Sequence, residues 1–223
     1  MNDSYRAERP SMISEDLINE KAVFLFAKRG FDIVASLMGL LVLSIPMLLI
    51  AVIVKLDSPG PVIFKQKRIG KNKKPFNILK FRSMIVDAEK KGIKLTLDKD
   101  PRITRVGSFL RKSKLDELPQ LINVLRGDMS FVGPRPETLT YIQMYGRYPS
   151  EIFYVRPGIT DLASIEYSDE GSHFKTITQT EKIYIDEILP HKIELKLKYI
   201  REMSVRLDLL IILKTLYKIT GMK

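Results

Sequence analysis

The sequence predicts a mainly helical α+β chain: an N-terminal re-entrant membrane helix-break-helix, then a small β-hairpin, then amphipathic helices at the membrane interface. Three observations carry this. The run FDIVASLMGLLVLSIPMLLIAVIV, Phe31 to Val54, is apolar except for Asp32 and is interrupted by Ser44 and Pro46. Two short segments rich in β-branched and aromatic residues with interleaved cations follow it. Beyond them, apolar residues recur at helical spacing, clearest at Leu118, Leu121, Ile122 and Leu125.

At 223 residues the chain suits one ordinary domain, or a smaller one plus a membrane element. Its 37 Lys+Arg against 26 Asp+Glu give a net charge of +11, which points to an anionic partner: phosphate groups, nucleic acid or an anionic lipid surface. There is no cysteine, which excludes disulfides, a thiolate nucleophile and a thiolate zinc site. His173 and His191, the only histidines, show no ligand spacing and read as surface or packing residues. Any metal chemistry then rests on oxygen ligands.

As a straight helix the apolar run would be about 36 Å long, enough for a hydrocarbon core of about 30 Å. It is too long, and too far from the start of the sequence, for a cleavable signal peptide. A simple span fails on orientation. Lys28 and Arg29 precede the run, and Lys55, Lys65, Lys67, Arg68, Lys71, Lys73 and Lys74 follow it, so both ends belong to the cytoplasmic side. Pro46 removes a backbone donor and clashes with the Val42 carbonyl, while the Ser44 hydroxyl can bond a freed backbone group. A helix broken at Ser44 and Pro46 that dips into one leaflet and returns meets both constraints. The expected organisation is an N-terminal segment 1–27, a re-entrant hairpin 28–56 and a cytoplasmic-face catalytic domain 57–223.

After the turn cluster SPGP (58–61), PVIFKQKRIG and KPFNILKFRSM read as a two-stranded hairpin over about residues 62–82. Its cations suit a phosphate and headgroup surface beside a membrane insert. Phe64, Phe76 and Phe81 also permit base stacking, but a nucleic-acid protein has no need of the apolar run, so no nucleic-acid partner is expected.

In GSFLRKSKLDELPQLINVLRGDMSFVGPRPE (107–137) the periodic helix ends at Gly127. Asp116 reads as its N-cap, with Pro119 in the first turn and Glu117 complementing the dipole. The same residues also read as chemistry. Arg111, Lys112 and Lys114 make a phosphate-handling environment, in which an ionised aspartate attacks phosphorus without a base once the phosphate charge is neutralised. Glu117 with a magnesium ion could supply that neutralisation. Arg135 stands between Pro134 and Pro136, a rigid presentation suited to a phosphate or a planar base.

The broken apolar hairpin, KFRSM, DPRITRVGSFLRKSKLDELPQLINVLRGDMSFVGPRPE and VRPGIT together resemble the bacterial sugar transferases, specifically the monotopic polyprenyl-phosphate phosphoglycosyl transferases. The resemblance covers roughly residues 22–220. Larger members carry extra membrane helices ahead of this core, so the chain looks like the minimal catalytic form. The resemblance implies Asp116 as nucleophile and Glu117 as magnesium ligand, with Arg111 holding the phosphate. Pro134, Arg135 and Pro136 fall on the element that contacts the uridine of the donor, and Lys80 and Arg82 on a basic, phosphate-binding motif near the site. The implied reaction moves a sugar 1-phosphate from a UDP-sugar to undecaprenyl phosphate through an aspartyl-phosphosugar, releases UMP and starts a surface glycan. Mg2+ is the implied cofactor. UDP-sugar, undecaprenyl phosphate and membrane lipids are the implied partners, with a homodimer and later-acting glycosyltransferases as further expectations, at the cytoplasmic face of the bacterial inner membrane.

The C-terminal VRLDLLIILKTLYKI (205–219) fits either an interfacial helix or a core-packing amphipathic one. After VRPGIT the chain has Asp161-Leu162 where many small members have Gly-Trp. Two other readings remain: a catalytically inactive membrane adaptor with the same fold, and a glycosyltransferase using Asp98-Lys99-Asp100 as a D-x-D metal motif. Release of UMP from a UDP-sugar separates the transferase reading from both: a D-x-D glycosyltransferase would release UDP, and an inactive adaptor no nucleotide.

Overall fold

The apolar run folds as two helices joined at a sharp break. The computed structural model describes residues 13–88, 100–145, 148–167 and 184–220. Residues 1–12, Asp98, Lys99 and His173 lie outside them. A short α1 (Glu15–Glu20), capped by Ser14, leads into α2 (Ala22–Val42) and α3 (Ser44–Asp57), whose axes turn by 63° at Leu43. The physical cause is the one expected. The Ser44 hydroxyl donates to the Leu41 carbonyl at 2.7 Å, and Pro46 sits in the first turn of α3, where a missing donor costs little. Among the described residues no single helix is long and apolar enough to cross a membrane; the bent pair reaches that length and apolarity only with its two helices taken together. Lys28 and Arg29 lie inside α2 rather than ahead of it, because the helix begins at Ala22.

Most of this pair faces outward: Val34, Val42, Ile45 and Leu48 are all at least 63% exposed. One side of α2 nevertheless docks onto the body through polar contacts. Asp32, only 2% exposed, accepts from the Ser130 hydroxyl at 3.1 Å and the Phe131 amide at 3.2 Å. Lys28 pairs with Asp208, and Arg29 donates to the Val124 and Leu125 carbonyls at 2.6 and 2.9 Å.

The body is mainly helical α+β, as the sequence indicates. β1 (Ile63–Ile69) and β2 (Pro75–Phe81) form the expected antiparallel hairpin, in register from Ile63↔Phe81 to Ile69↔Pro75. β2 is gripped from both ends: Ile78 packs with Val124 and Met129, and Phe81 with Val54 and Leu110. α4 (Arg105–Lys112) is capped by Thr104 and passes so close to the end of β2 that a Cβ at Gly107 would lie 2.0 Å from the Ser83 carbonyl. α5 (Gln120–Arg126) ends at Gly127, whose φ of +88° is the left-handed conformation that favours glycine at a helix end.

β3 (Ser130–Val132) and β4 (Gly158–Thr160) pair in parallel, an element absent from the sequence expectation. α6 (Leu139–Tyr145), α7 (Leu162–Glu166), α8 (Leu189–Glu202) and α9 (Val205–Thr220) complete the chain. The largest core joins Leu189, Ile193, Tyr199 and Ile200 to Ile211 of α9. The opposite face of α9 leaves Val205, Leu209, Leu213 and Leu216 exposed, so this helix both packs on the core and presents an apolar exterior.

Candidate functional site

The site grows from an irregular connection between α4 and α5. Lys114 takes a left-handed conformation (φ 57°), and Leu115–Glu117 form a single 3-10 turn. Helical bonding resumes with Pro119 as the cap residue of α5 and no side chain capping it. The expected N-cap role of Asp116 is therefore corrected: the 3-10 turn uses up those residues and starts α5 at Gln120, with Pro119 as its cap residue, so among the described residues no amide bonds the Asp116 carboxylate. The buried face of α5 is also shifted from the expected one, to Gln120, Leu121, Asn123 and Val124.

Asn123 explains how this turn meets the hairpin. Fully buried, it accepts from the Leu79 amide at 3.0 Å and donates to the Asn77 carbonyl at 2.8 Å, mimicking a further strand beside β2. That contact sets Lys80 against the turn, where its ammonium bonds Glu117 Oε1 at 2.7 Å. Arg135 approaches Glu117 from beyond β3. One terminal nitrogen donates to Oε2 at 3.3 Å and to the Ile159 carbonyl at 2.9 Å, and the other pairs with Oε1.

The two neighbouring carboxylates are thereby driven apart. Burial raises the pKa of Asp116, which is 6% exposed, and the Glu117 charge adds to this while Lys80, Arg111 and Lys114 oppose it. Burial also acts on Glu117, but Arg135 and Lys80 outweigh it and hold that carboxyl well below the usual range. Burial lowers the pKa of Lys80, with Glu117 resisting. The result is one carboxylate bonded by two cations beside another whose oxygens take no donor among the described residues. Such a pair suits nucleophilic attack on an anionic centre.

Among the described residues no cluster of three or more His, Cys, Asp or Glu side chains assembles. In phosphate-handling sites Mg2+ takes one or two carboxylates and completes its shell with water and phosphate oxygens, so Asp116 and Glu117 fit as donors. Glu117 would hold the ion by yielding one of its bonds to Lys80 or Arg135.

Of the other expected residues, Arg111 ends α4 close enough to influence Asp116. Pro134 and Pro136 are buried on either side of Arg135, their carbonyls accepting from the Gly158 amide at 3.2 Å and from Arg68 at 3.1 Å. Arg82 is turned elsewhere. It is 5% exposed and donates to the Pro61, Val54 and Ser58 carbonyls at 2.7, 3.1 and 2.6 Å. These bonds clamp the end of α3 to the following turn instead of leaving the guanidinium for a phosphate. The Asp100 carboxylate is held in the fork of Arg102 at 2.6–3.1 Å, which commits that end of the D-x-D triplet to an ion pair. His191 bonds Tyr167 at 2.7 Å, a packing role as expected.

Asn123 is an addition that the sequence reading lacked, and so are the contacts of two residues it had named, Asp161 with the Arg135 amide and Arg68 with the Pro136 carbonyl. Asp161 ahead of an apolar stretch does carry an N-cap signal for α7, and its carboxylate caps the Ser164 amide at 2.6 Å.

The chain matches the family model described as bacterial sugar transferase over residues 23–222. It is 41% identical over 197 residues to a UDP-N-acetylgalactosamine-undecaprenyl-phosphate N-acetylgalactosaminephosphotransferase of Aeromonas hydrophila, covering 87% of this chain and 44% of that one. It is 42% identical over 194 residues to a UDP-glucose:undecaprenyl-phosphate glucose-1-phosphate transferase of Escherichia coli (strain K12), covering 86% and 39%. With the exopolysaccharide production protein PSS of Rhizobium leguminosarum bv. phaseoli it shares 48% identity over 149 residues, 63% of this chain and 74% of that one. The chain thus spans less than half the length of the first two relatives.

Proposed function

The chain belongs to the bacterial sugar transferase family, and from that membership we propose that it transfers a sugar 1-phosphate from a UDP-sugar to undecaprenyl phosphate, releasing UMP. The observation that carries this reading is the buried Asp116 carboxylate, with no donor to it among the described residues, beside a Glu117 bonded by Lys80 and Arg135. The names of the first two relatives support the substrate classes, and they specify different sugars at nearly equal identity, so the class proposed is a UDP-sugar.

In the first step an Asp116 oxygen attacks the phosphorus nearest the sugar. The bond between that phosphorus and the bridging oxygen breaks, UMP leaves with the electron pair, and an aspartyl-phosphosugar remains. In the second step an oxygen of the lipid phosphate attacks the same phosphorus, returning Asp116 as a carboxylate and forming a polyprenyl-diphosphate sugar. The anomeric bond stays intact throughout. Lys80, Arg111 and Arg135 offset the charge of the two phosphates, which in a partly dehydrated site is the main barrier to anionic attack. Arg135 also contacts the nucleotide, passing from Glu117 to the donor. Mg2+ held by Glu117 would supply further charge neutralisation at the phosphates.

The bent α2–α3 pair is a re-entrant hairpin in the bacterial inner membrane, with the catalytic body on the cytoplasmic face. Its outward apolar surface, the apolar exterior of α9 and the cations at both ends of the pair support this. A site at that boundary meets a cytosolic nucleotide sugar and a lipid-borne phosphate together, and hands its product to later-acting glycosyltransferases of a surface-glycan pathway.

The test is nucleotide release over a panel of UDP-sugars with undecaprenyl phosphate and Mg2+. UMP supports the reading, whereas UDP, or no nucleotide, sinks it. Omission of the lipid should trap an adduct at Asp116, visible by mass spectrometry.

A further inference from the structure

Arg135 has an unusual backbone position. Its neighbours Pro134 and Pro136 have fixed φ and no amide hydrogen, so Arg135 carries the single N–H between Gly133 and Glu137. That N–H does not bond to backbone. It donates to Asp161 Oδ2 at 2.8 Å, while Asp161 Oδ1 accepts from the Ser164 amide at 2.6 Å. Asp161 is 1% exposed, so both bonds are made by a buried carboxylate, and such bonds are shorter and stronger than neutral ones.

The surrounding geometry gives this carboxylate leverage. Arg135 follows β3 and Asp161 follows β4, and the parallel pairing of those strands, with the Gly133 amide on the Thr160 carbonyl at 3.1 Å, brings the two chain exits side by side. The same corner also receives the Arg135 guanidinium through the Ile159 carbonyl at 2.9 Å. The main chain and the side chain of Arg135 are therefore both referenced to the β4–α7 corner before the guanidinium reaches Glu117.

We infer that Asp161 is a positioning residue for the transfer reaction: it fixes the backbone of Arg135 so that the guanidinium is directed at Glu117 and the donor diphosphate. This rests on the reading of Arg135 as a donor-binding residue. Both Asp161 oxygens are engaged by backbone amides, Oδ2 by Arg135 and Oδ1 by Ser164. Asp161 acts through one amide bond, and its second bond caps α7.

Asp161→Ser separates the two roles, since serine is a good N-cap but offers one short hydroxyl in place of two carboxylate oxygens. The variant should stay folded and raise the KM for UDP-sugar roughly tenfold, the worth of one charge-assisted hydrogen bond, with the KM for undecaprenyl phosphate unchanged. Combined with Arg135→Ala, it should add less than about threefold to the loss in kcat/KM, because both changes remove one function. Hydrogen exchange at the Arg135 amide should quicken at least tenfold. Equal loss for both substrates, multiplicative effects with Arg135→Ala, or an unchanged exchange rate would each overturn the inference. Absence of UMP release by the unaltered enzyme sinks the functional reading instead, and the exchange rate then decides the anchoring separately. If Asp161→Ser does not fold, Asp161→Asn, which retains one acceptor, is read by the same three measurements.

Discussion

Arg135 bonds both carboxylate oxygens of Glu117, so the proposed metal ligand and the proposed nucleotide contact occupy each other. If both roles hold, metal and donor binding are linked: a diphosphate that draws off Arg135 exposes Glu117, and an ion at Glu117 releases Arg135.

That linkage predicts metal affinity in the absence of nucleotide. Arg135→Ala should bind Mn2+, a spectroscopic substitute for Mg2+, roughly tenfold or more tightly than the unaltered protein, the scale of a lost charge-assisted bond. Arg111→Ala also removes a cation near Asp116 but none that bonds Glu117, and should change Mn2+ affinity much less. Glu117→Gln should abolish the gain in the Arg135→Ala background. Paramagnetic titration reads all four proteins, and equal effects of the two arginine variants would break the link.

Asp116→Asn should leave a folded protein that releases no UMP and forms no adduct, because an amide is too poor a nucleophile at phosphorus. Comparable UMP release by the variant rules out the covalent role, and an adduct mapped to another residue moves the nucleophile.

The pH profile should separate the two carboxylates. Asp116 is needed ionised and its pKa is raised, chiefly by burial, so kcat/KM should fall with acid at a pH above the ordinary aspartate range. Lys80 lowers that pKa and the Glu117 charge raises it. Lys80→Met should therefore move the acid limb to higher pH, and Glu117→Gln should move whatever activity survives to lower pH. Stability follows the same signs. The depressed pKa of Glu117 favours the fold at pH above its unfolded value, and this is lost as pH falls through its folded value. Asp116, with its raised pKa, works the other way: its penalty on the folded state is present at neutral pH and lifts on acidification. Limbs that move together, or against these signs, contradict the assignment of charges.

Arg82 should behave as a structural residue. Arg82→Met leaves three backbone acceptors without their donor in a buried clamp, costing about 3 kcal/mol, which for a chain of this size lowers Tm by roughly 10 °C. The KM for UDP-sugar in the folded fraction should stay within about twofold. A stable Arg82→Met protein with a large donor KM would return Arg82 to the phosphate site.

What was legible in the sequence was whatever local chemistry decides. The break beside Ser44 and Pro46, the hairpin between two alternating segments and the helix stop at Gly127 each follow from a missing donor, a strand pattern or a left-handed turn. The site was legible only as a set of residue types. That Asp116 does not cap α5 depends on the left-handed Lys114, which nothing in RKSKLDELP announces. β3 and β4 are three residues each, too short to show a period, so their parallel pairing, and with it the Asp161–Arg135 contact, depends on tertiary packing. Arg82 entered the expected site through the resemblance alone, and residue types do not reveal that its guanidinium reaches back to the end of α3 and the turn after it.

The hairpin gives the last prediction, which concerns topology. Asp32, Lys28 and Arg29 tie α2 to β3, α9 and α5, so the entry to the apolar pair is fixed against the body, and the 63° turn decides where the exit goes. Replacing Ser44 and Pro46 together with leucine restores the backbone donor at 46 and removes the hydroxyl bond to Leu41. A continuous helix through the apolar run, about 36 Å long, then becomes favourable and is long enough to cross a hydrocarbon core of about 30 Å. The highly basic body resists translocation, so the end that moves across should be the N-terminal one, at the cost of the contacts of Asp32 and Lys28. Since the sequence has no cysteine, single cysteines placed at Ser4 and Ser150 report sidedness to a membrane-impermeant thiol reagent without background. Both should be shielded from the outside in intact cells carrying the unaltered hairpin, and only the double-leucine variant should expose position 4. Outside labelling at position 4 with Ser44 and Pro46 in place would mean a single span and would sink the re-entrant reading.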